Sequence, residues 1–582
     1  MCDEPPILTN CGSSRGRWSR YTSLRLALDH LGDVDHLAGT RKNSRVTDAA
    51  ASHFDDPNDA PVTGDLPLLT ELRALFDRLN YTIDGIESLL GVEAAAALHR
   101  DLIVPANEAL AALENRGGEL GAIVELFLLG LPVAAQRIPE LELLERARLA
   151  ERSGPDGTVL ARVDIRPYES DEACWWIASD LGGVQLGERA ARGIGHEASL
   201  RRDHVVGIGP ATTLLAQLTP REHVARAFDL GVGMGVQTMH LLAHADLVVA
   251  TDISERAIEF ARFNLLLNAP ALGLNPEALE ERVSLRLGSM LEPVAGEQFD
   301  LVVSNPPFVI TPRRREESAA ERFTYRDGGA EGDRIVETLV RGLPSILTPG
   351  GRACMLGNWE IREGDEGWHA KLDEWLEPGL DAWIVLREEA TPIEYADMWL
   401  KDAQENAELD SWREGFANYL RDFAERGIRA VGMGLLCFSK QDGEADPLRR
   451  FESLPHQLGQ PLGPVVQSAW ERLEWLRGLD DDALFDETLV VAGDVTEERH
   501  SRPGDEHPSA MLLRQGGGFR RTYPLSTSLA GFVGVCDGEL AGSQIVPALA
   551  ALLDVETDAM KQALAPEVRR LVELGFLEPA WV

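Results

Sequence analysis

Apolar residues first recur at helical spacing at Leu66, Leu69, Leu72, Leu75, Phe76 and Leu79, a period that predicts a helix with one buried face. The same period predicts helices over Ile86–Leu98 and Leu120–Leu129. Ser153–Gly157 reads as a turn, and the alternation at Val159, Ala161, Val163 and Ile165 predicts strand structure after it. Helices followed by a hairpin make a winged-helix-like pattern, read here as scaffolding or a protein contact. From residue 171 to 440 short apolar runs alternate with helical periods. Ala225–Leu230, Leu247–Thr251, Val283–Leu287, Leu301–Ser304 and Arg352–Leu356 are predicted strands, with Gly432–Ser439 a late one. Predicted helices lie at Ser254–Leu267, where Ser254 is a suitable N-cap, at Asp333–Leu347 and near Ala403–Glu425. Thr348–Gly351 reads as a tight turn feeding a strand. Strand–helix alternation with strands apolar on both faces predicts an α/β fold, a doubly wound and largely parallel sheet.

The ends read differently. Residues 1–64 lack periodicity and are rich in Ser, Arg, Asp, Gly and Pro, so they are expected to form a disordered leader. Residues 441–519 are polar, with Pro, Gly and acidic residues, and are expected to be a linker or irregular region. Residues 520–582 are helical again, with a helix closing on Gly575 before a short strand, as in a second winged-helix-like module. The expected organisation is a leader (1–64), a helical N-terminal domain (65–170), the α/β domain (171–440), the linker (441–519) and a helical C-terminal module (520–582).

Composition narrows the function classes. At 582 residues the chain exceeds one ordinary core. Its net charge of −39 repels a phosphate backbone at long range and makes non-specific nucleic-acid binding poor. The six cysteines form no Cys-x-x-Cys pair, so neither a zinc site nor a disulfide framework is expected, and a reduced cytoplasmic setting fits. The longest apolar stretch, Leu120–Ala135, includes Glu125 and is too short to span a bilayer, so no membrane association is expected. The N-terminus has no apolar core of the secretory kind. His240 and His244 share a helical spacing but have no evident third ligand, so no metal is expected.

Candidate chemistry concentrates in two strings. Asp229-Leu-Gly231-Val-Gly233-Met-Gly235 is a glycine-rich turn after a predicted strand. Glycines there let the backbone approach a ligand, and the next helix opens with free N–H groups. The Gly-x-Gly-x-Gly spacing differs from the dinucleotide fingerprint and favours S-adenosylmethionine. Asp252, ending the next strand, is suited to accept both ribose hydroxyls, and Asp229 to orient the methionine end. Gly207–Thr212, before the first of these strands, is a further candidate pocket wall. The second string, Ser304-Asn305-Pro306-Pro307-Phe308, ends another predicted strand. An amide or exocyclic amino nitrogen is a poor nucleophile. N–H bonds to the Asn305 side-chain oxygen and the Pro306 carbonyl would hold it and favour a tetrahedral nitrogen. Pro306 and Pro307 stiffen the turn, and Phe308 is suited to pack on a flat acceptor. Arg313–Arg315 follow directly and could guide an acidic partner.

In Asp229–Gly235, Val249–Asp252 and Val302–Phe308 the chain resembles class I S-adenosylmethionine-dependent methyltransferases with an Asn-Pro-Pro-Tyr/Phe motif. That group includes release-factor glutamine-N5 methyltransferases and enzymes acting on amino groups of bases in rRNA or DNA. The resemblance covers roughly residues 200–360. It implies a Rossmann-like domain, S-adenosyl-L-methionine as cofactor and N-methylation of a macromolecular acceptor. Val309-Ile310 after the motif and Arg326–Gly332 before a helix are similar to the glutamine enzymes, so a protein glutamine amide, as in a release factor, is the expected acceptor. A base of rRNA or DNA is the alternative, and a non-catalytic cofactor-binding regulator is a second one. In this family an Asp contacting adenine often follows the glycine at the Gly288 position; here Ser289 stands in its place.

Overall fold

The computed structural model describes residues 59–580 except 154–156, 170–173, 195–199, 202, 313–330, 403–408, 444–445 and 506. The described residues divide into two compact units, one of residues 59–455 and the other of residues 456–580.

The first unit opens with helices; the single helix expected over Ile86–Leu98 is two, Ile83–Leu90 and Val92–Leu98, because Gly91, with φ +81°, breaks it. Asp65 caps Leu66–Arg78 by accepting the Leu68 N–H, and Leu68, Leu69, Leu72, Leu75 and Phe76 form its buried face. Residues 59–64, expected to belong to the leader, are built into the fold. Val62 N–H donates to the Ala147 carbonyl, Thr63 Oγ1 donates to Glu259, and Asp59 forms ion pairs with Arg201 and Arg256. Residues 1–58 lie outside the described residues. The alternation over Val159–Ile165 splits between two sheets. Thr158–Ala161 is the middle of three antiparallel strands, whereas Asp164–Glu169 pairs with Cys174–Ser179. The expected boundary at 170/171 therefore falls inside a hairpin.

The doubly wound sheet has eight strands, here β1 (Val224–Leu230), β2 (Ala245–Asp252), β3 (Val283–Leu287), β4 (Phe299–Ser304), β5 (Leu347–Arg362), β6 (Leu380–Ala390), β7 (Ile428–Lys440) and β8 (Arg449–Ser453). Their order is β3-β2-β1-β4-β5-β7-β6-β8. β3, β2, β1, β4 and β5 are parallel, and β7 runs antiparallel between β5 and β6. Strand order reverses between β1 and β4, and ligand crevices of such sheets lie beyond the carboxyl ends at that point. The helices that matter for the site are α1 (Pro210–Leu218), α2 (Val236–Leu241), α3 (Glu255–Leu267), α4 (Arg334–Ile346), α5 (Pro392–Asp402) and α6 (Leu409–Glu425). Thr348–Gly351, expected as a turn before the strand, instead lies within β5 and interrupts its register with β4.

One core runs from the N-terminal helices through Trp175 and Ile177 to Met239, Phe260 and Phe263. Polar contacts fix the same junction. Arg73 caps the C-terminus of α3 by donating to the carbonyls of Leu266 and Leu267, and Asn268 exchanges hydrogen bonds with the Trp176 backbone.

The expected linker at 441–519 is corrected by the structure: β8 belongs to the large sheet, and the rest is already built into the second unit. There, helix Gly463–Arg477 precedes two three-stranded sheets, one centred on Thr488–Val491 and one on Ala510–Gln515. Helices Thr527–Val533, Gly542–Leu553 and Thr557–Leu574 follow around a separate core. Gly575, with φ +76°, ends the last helix before Leu577–Pro579 pairs with Thr488–Val491. Among the described residues no helix is long and apolar enough to cross a membrane.

Candidate functional site

The two strings singled out in the sequence follow β1 and β4, which are hydrogen-bonded neighbours with Leu230 opposite Ser304. Ser304 Oγ strengthens that junction by donating to the Leu230 carbonyl at 2.9 Å. The glycine turn starts immediately. Gly231 and Val232 both donate to the Thr251 carbonyl at the end of β2, and Gly235 donates to the Val232 carbonyl at 2.8 Å. Gly231 and Gly235 have φ of +80° and +90°, closed to most side chains. A Cβ on Gly231 would stand 3.8 Å from the Asn305 carbonyl, and one on Gly235 would press on α3 at Ala261, 3.3 Å away. The first is an ordinary contact, so Gly231 is required by its φ alone, whereas the missing Cβ at Gly235 lets α3 pack closely. Around Gly233 there is open space.

Asp252 ends β2 and binds the turn directly. Its carboxylate accepts the Gly233 N–H at 3.0 Å and the Ser254 N–H at 2.9 Å. A carboxylate has about four acceptor positions, so some capacity remains for a ligand hydroxyl beyond the N–H groups of Gly233, Ser254 and Ile253. Burial raises the Asp252 carboxyl above its ordinary range, opposed by those N–H bonds. Gly288 N–H donates to the Asp252 carbonyl at 2.9 Å, which brings half-buried Ser289 to the same end of the sheet. Asp229 is only 1% exposed. Its carboxylate accepts Thr238 Oγ1 at 2.7 Å, from the helix after the glycines. Burial pushes its carboxyl up to about 7 against the pull of the Thr238 hydroxyl and N–H, and the Asp252 charge pushes the same way.

The Asn305–Phe308 turn leaves the end of β4. Pro306 is buried, while Asn305, Pro307 and Phe308 are half-buried. Phe308 packs one part of its ring on the core of β4, β5 and α4. Asn305 Oδ1 is shut off from solvent and has no hydrogen-bond partner among the described residues. An unpaired buried amide oxygen is costly, and a ligand N–H placed there would relieve it. Arg313–Arg315 and Arg326–Ala330 lie outside the described residues.

Supporting residues that the sequence analysis did not single out fix this geometry. Asn264 on α3 is fully buried. Its Nδ2 donates to the Met234 carbonyl in the glycine turn at 2.8 Å and to the Ala178 carbonyl at 2.9 Å. Its Oδ1 accepts the Ala178 N–H at 2.8 Å. One side chain thus ties the turn to the N-terminal hairpin. Arg256, in the first turn of α3, is paired with Asp180 after that hairpin. Burial pushes the Asp180 carboxyl up, but the Arg256 hydrogen bonds and charge, with His204 and the Val205 N–H, hold it below its ordinary range. The Asp180–Val205 bond places the Gly207–Thr212 segment, whose Thr212 carbonyl accepts Gln237 Nε2 of α2. Among the described residues no group of three or more His, Cys, Asp or Glu side chains is arranged to hold a metal.

Residues 206–326 match the family described as methyltransferase small domain. Residues 78–162 and 468–579 match two domains of unknown function, DUF7059 and DUF7782. A ribosomal protein uL3 glutamine methyltransferase of Bradyrhizobium diazoefficiens is 32% identical over 160 residues, 26% of this chain and 46% of that protein. A release factor glutamine methyltransferase of Geobacter sulfurreducens is 35% identical over 139 residues, 22% of this chain and 44% of that protein. The chain thus spans about half the length of the curated relatives it matches. Among solved structures, an rRNA methylase from Streptococcus thermophilus aligns with 40% of this chain and 95% of its own at 14% identity and a TM-score of 0.22.

Proposed function

We propose that this chain is an S-adenosylmethionine-dependent N-methyltransferase acting in the cytoplasm on a glutamine side-chain amide of a protein. The observation that carries the reading is Asn305 Oδ1, buried and unpaired among the described residues at the end of β4 beside a bare glycine turn. The residues present fit the cofactor. The turn at Gly231–Gly235 offers uncovered backbone, Asp252 keeps acceptor positions for ribose hydroxyls, and the buried Asp229 carboxyl gains from a cation that lowers its pKa. S-adenosylmethionine would supply an electrophilic methyl group on its sulfonium. Ser289 lacks the carboxylate of the Asp often found at that position, so adenine would be held there by a neutral contact.

For the acceptor, Asn305 Oδ1 and the Pro306 carbonyl are the acceptors for the amide's two N–H bonds. Holding both N–H groups draws electron density toward nitrogen and fixes the direction of its lone pair, which is preorganisation rather than proton removal. Pro306 has no N–H to compete for the acceptor. The similarity to glutamine methyltransferases supports an amide acceptor, and the net charge of −39 disfavours a nucleic acid. Asn305→Ala tests the role of the turn. Methyl transfer is expected to fall by about 10²–10³-fold, the usual loss for a removed transition-state hydrogen-bonding group. S-adenosylmethionine affinity, read by calorimetry, is expected to stay within a few-fold. Unchanged turnover would remove Asn305 from the mechanism.

A further inference from the structure

The segment that leaves the Asn305–Phe308 turn is held by a residue far away in sequence. Ile310, fully buried, donates its N–H to the Tyr395 hydroxyl at 3.0 Å. Asn358 Nδ2 donates to the same oxygen at 2.9 Å. Tyr395 lies on α5, in the α5–α6 insertion between β6 and β7. Its ring is fully buried, with Tyr419 and Phe423 of α6 6.4 and 5.9 Å away, centroid to centroid. Thr391 and Glu394 fix the first turn of α5 by reciprocal bonds of the capping-box kind: Thr391 N–H donates to Glu394 Oε2, and Glu394 N–H donates to Thr391 Oγ1. Asn358 stands on β5 beyond the last residue paired with β4, Met355 opposite Ser304. The hydroxyl therefore joins the α5–α6 insertion, the overhang of β5 and the exit of the turn at one atom.

We infer that Tyr395 is a positioning residue for acceptor binding: through Ile310 it fixes the exit of the Asn305–Phe308 turn, and so the direction of the Asn305 side chain. The chain between them is short and contains Pro306 and Pro307, whose fixed φ angles leave little slack to absorb a shift at Ile310. The turn's entry is already pinned by the Ser304–Leu230 bond. With both ends held, the Asn305 oxygen, unpaired among the described residues, keeps its place. The inference rests on the proposed methyl transfer for its activity arm only.

The test is Tyr395→Phe, which keeps the ring and removes the hydroxyl. Three quantities are measured on the full chain: kcat for methyl transfer, Kd for S-adenosylmethionine, and amide hydrogen exchange in peptides spanning residues 305–312 and 224–230. The expected result is a kcat lowered about 10–100-fold, as for a misplaced catalytic group, with Kd within twofold. Exchange at 305–312 is expected to quicken more than tenfold while that of β1 stays unchanged. A merely structural role would lower the folded fraction and quicken exchange in both peptides. Asn358→Ala, which withdraws one of the two bonds to the hydroxyl, is expected to shift the same quantities less, and it serves if Tyr395→Phe does not fold. Unchanged exchange at 305–312, or a kcat equal to wild type, overturns the inference. If the wild-type chain itself transfers no methyl group, the functional proposal fails, and the exchange result alone decides the role of Tyr395.

Discussion

Replacing Asp229 by Asn should stabilise the protein in alkali while weakening the site. The carboxyl is buried at the end of β1, and its pKa is raised from 3.8 to about 7. A raised carboxyl pKa means that the folded state holds a proton the unfolded chain has released. Stability from this group is therefore fully present below the unfolded pKa and is lost as pH rises toward 7. At about 1.4 kcal/mol per pH unit, the loss reaches about 4 kcal/mol above pH 7 and grows by about 2 kcal/mol between pH 5.5 and 8.5. Asn removes this titration. It keeps an oxygen for Thr238 Oγ1 but adds an NH2 without an evident partner, at about 1–3 kcal/mol. The expected net is a gain of roughly 1–3 kcal/mol at pH 8.5 and little change at pH 5.5. Urea unfolding of both proteins without ligand, at the two pH values, reads the difference. S-adenosylmethionine affinity at pH 8 should fall roughly 10–100-fold, because a desolvated charge pair with the ligand's ammonium is lost. A stability difference that does not change with pH would refute the burial argument. An unchanged affinity would remove Asp229 from the site.

Two further outcomes follow from the supporting residues. Asn264→Ala deletes three hydrogen bonds and leaves buried backbone groups of Met234 and Ala178 unpaired; unfolding stability should fall by about 3 kcal/mol or more, and S-adenosylmethionine affinity about tenfold, by urea titration and calorimetry. Arg256→Ala strands the buried Asp180 carboxylate and should cost about 3–5 kcal/mol at neutral pH, much of it recovered in the double variant with Asp180→Asn. The Asp180 pKa is depressed, so the cost should shrink as pH falls through and below the ordinary carboxylate range.

The sheet that forms the candidate site was largely legible because its strands, buried on both faces, appear as short apolar runs, and its turns carry glycine and proline at the strand ends. Less legible was whatever depended on partners distant in sequence. β8 reads Arg-Arg-Phe-Glu-Ser, a polar string that looks like linker, yet it joins the sheet because its charges are satisfied there. The Arg450 guanidinium lies over Trp383, 4.4 Å from the ring centroid, and pairs with Glu452, which also accepts Trp383 Nε1 at 2.7 Å. β6 carries a strand signal in Trp383-Ile-Val-Leu386, a short apolar run like those of the other strands. Asn264 and Tyr395 look like ordinary helix residues, and their importance comes from bonds to Met234 and Ile310, which no local pattern announces. The split of Val159–Ile165 between two sheets was hidden for the same reason: alternation reports a buried face, not which sheet supplies it.

The most direct measurement is transfer of radiolabelled methyl from S-adenosylmethionine by the purified chain into a cell lysate, followed by separate protease and nuclease digestion and acid hydrolysis. The proposed function predicts label that is lost with protease, resists nuclease and is released by acid as methylamine, the product of an N-methyl amide. Label that is lost with nuclease, or no transfer under conditions where S-adenosylmethionine binds, would contradict it.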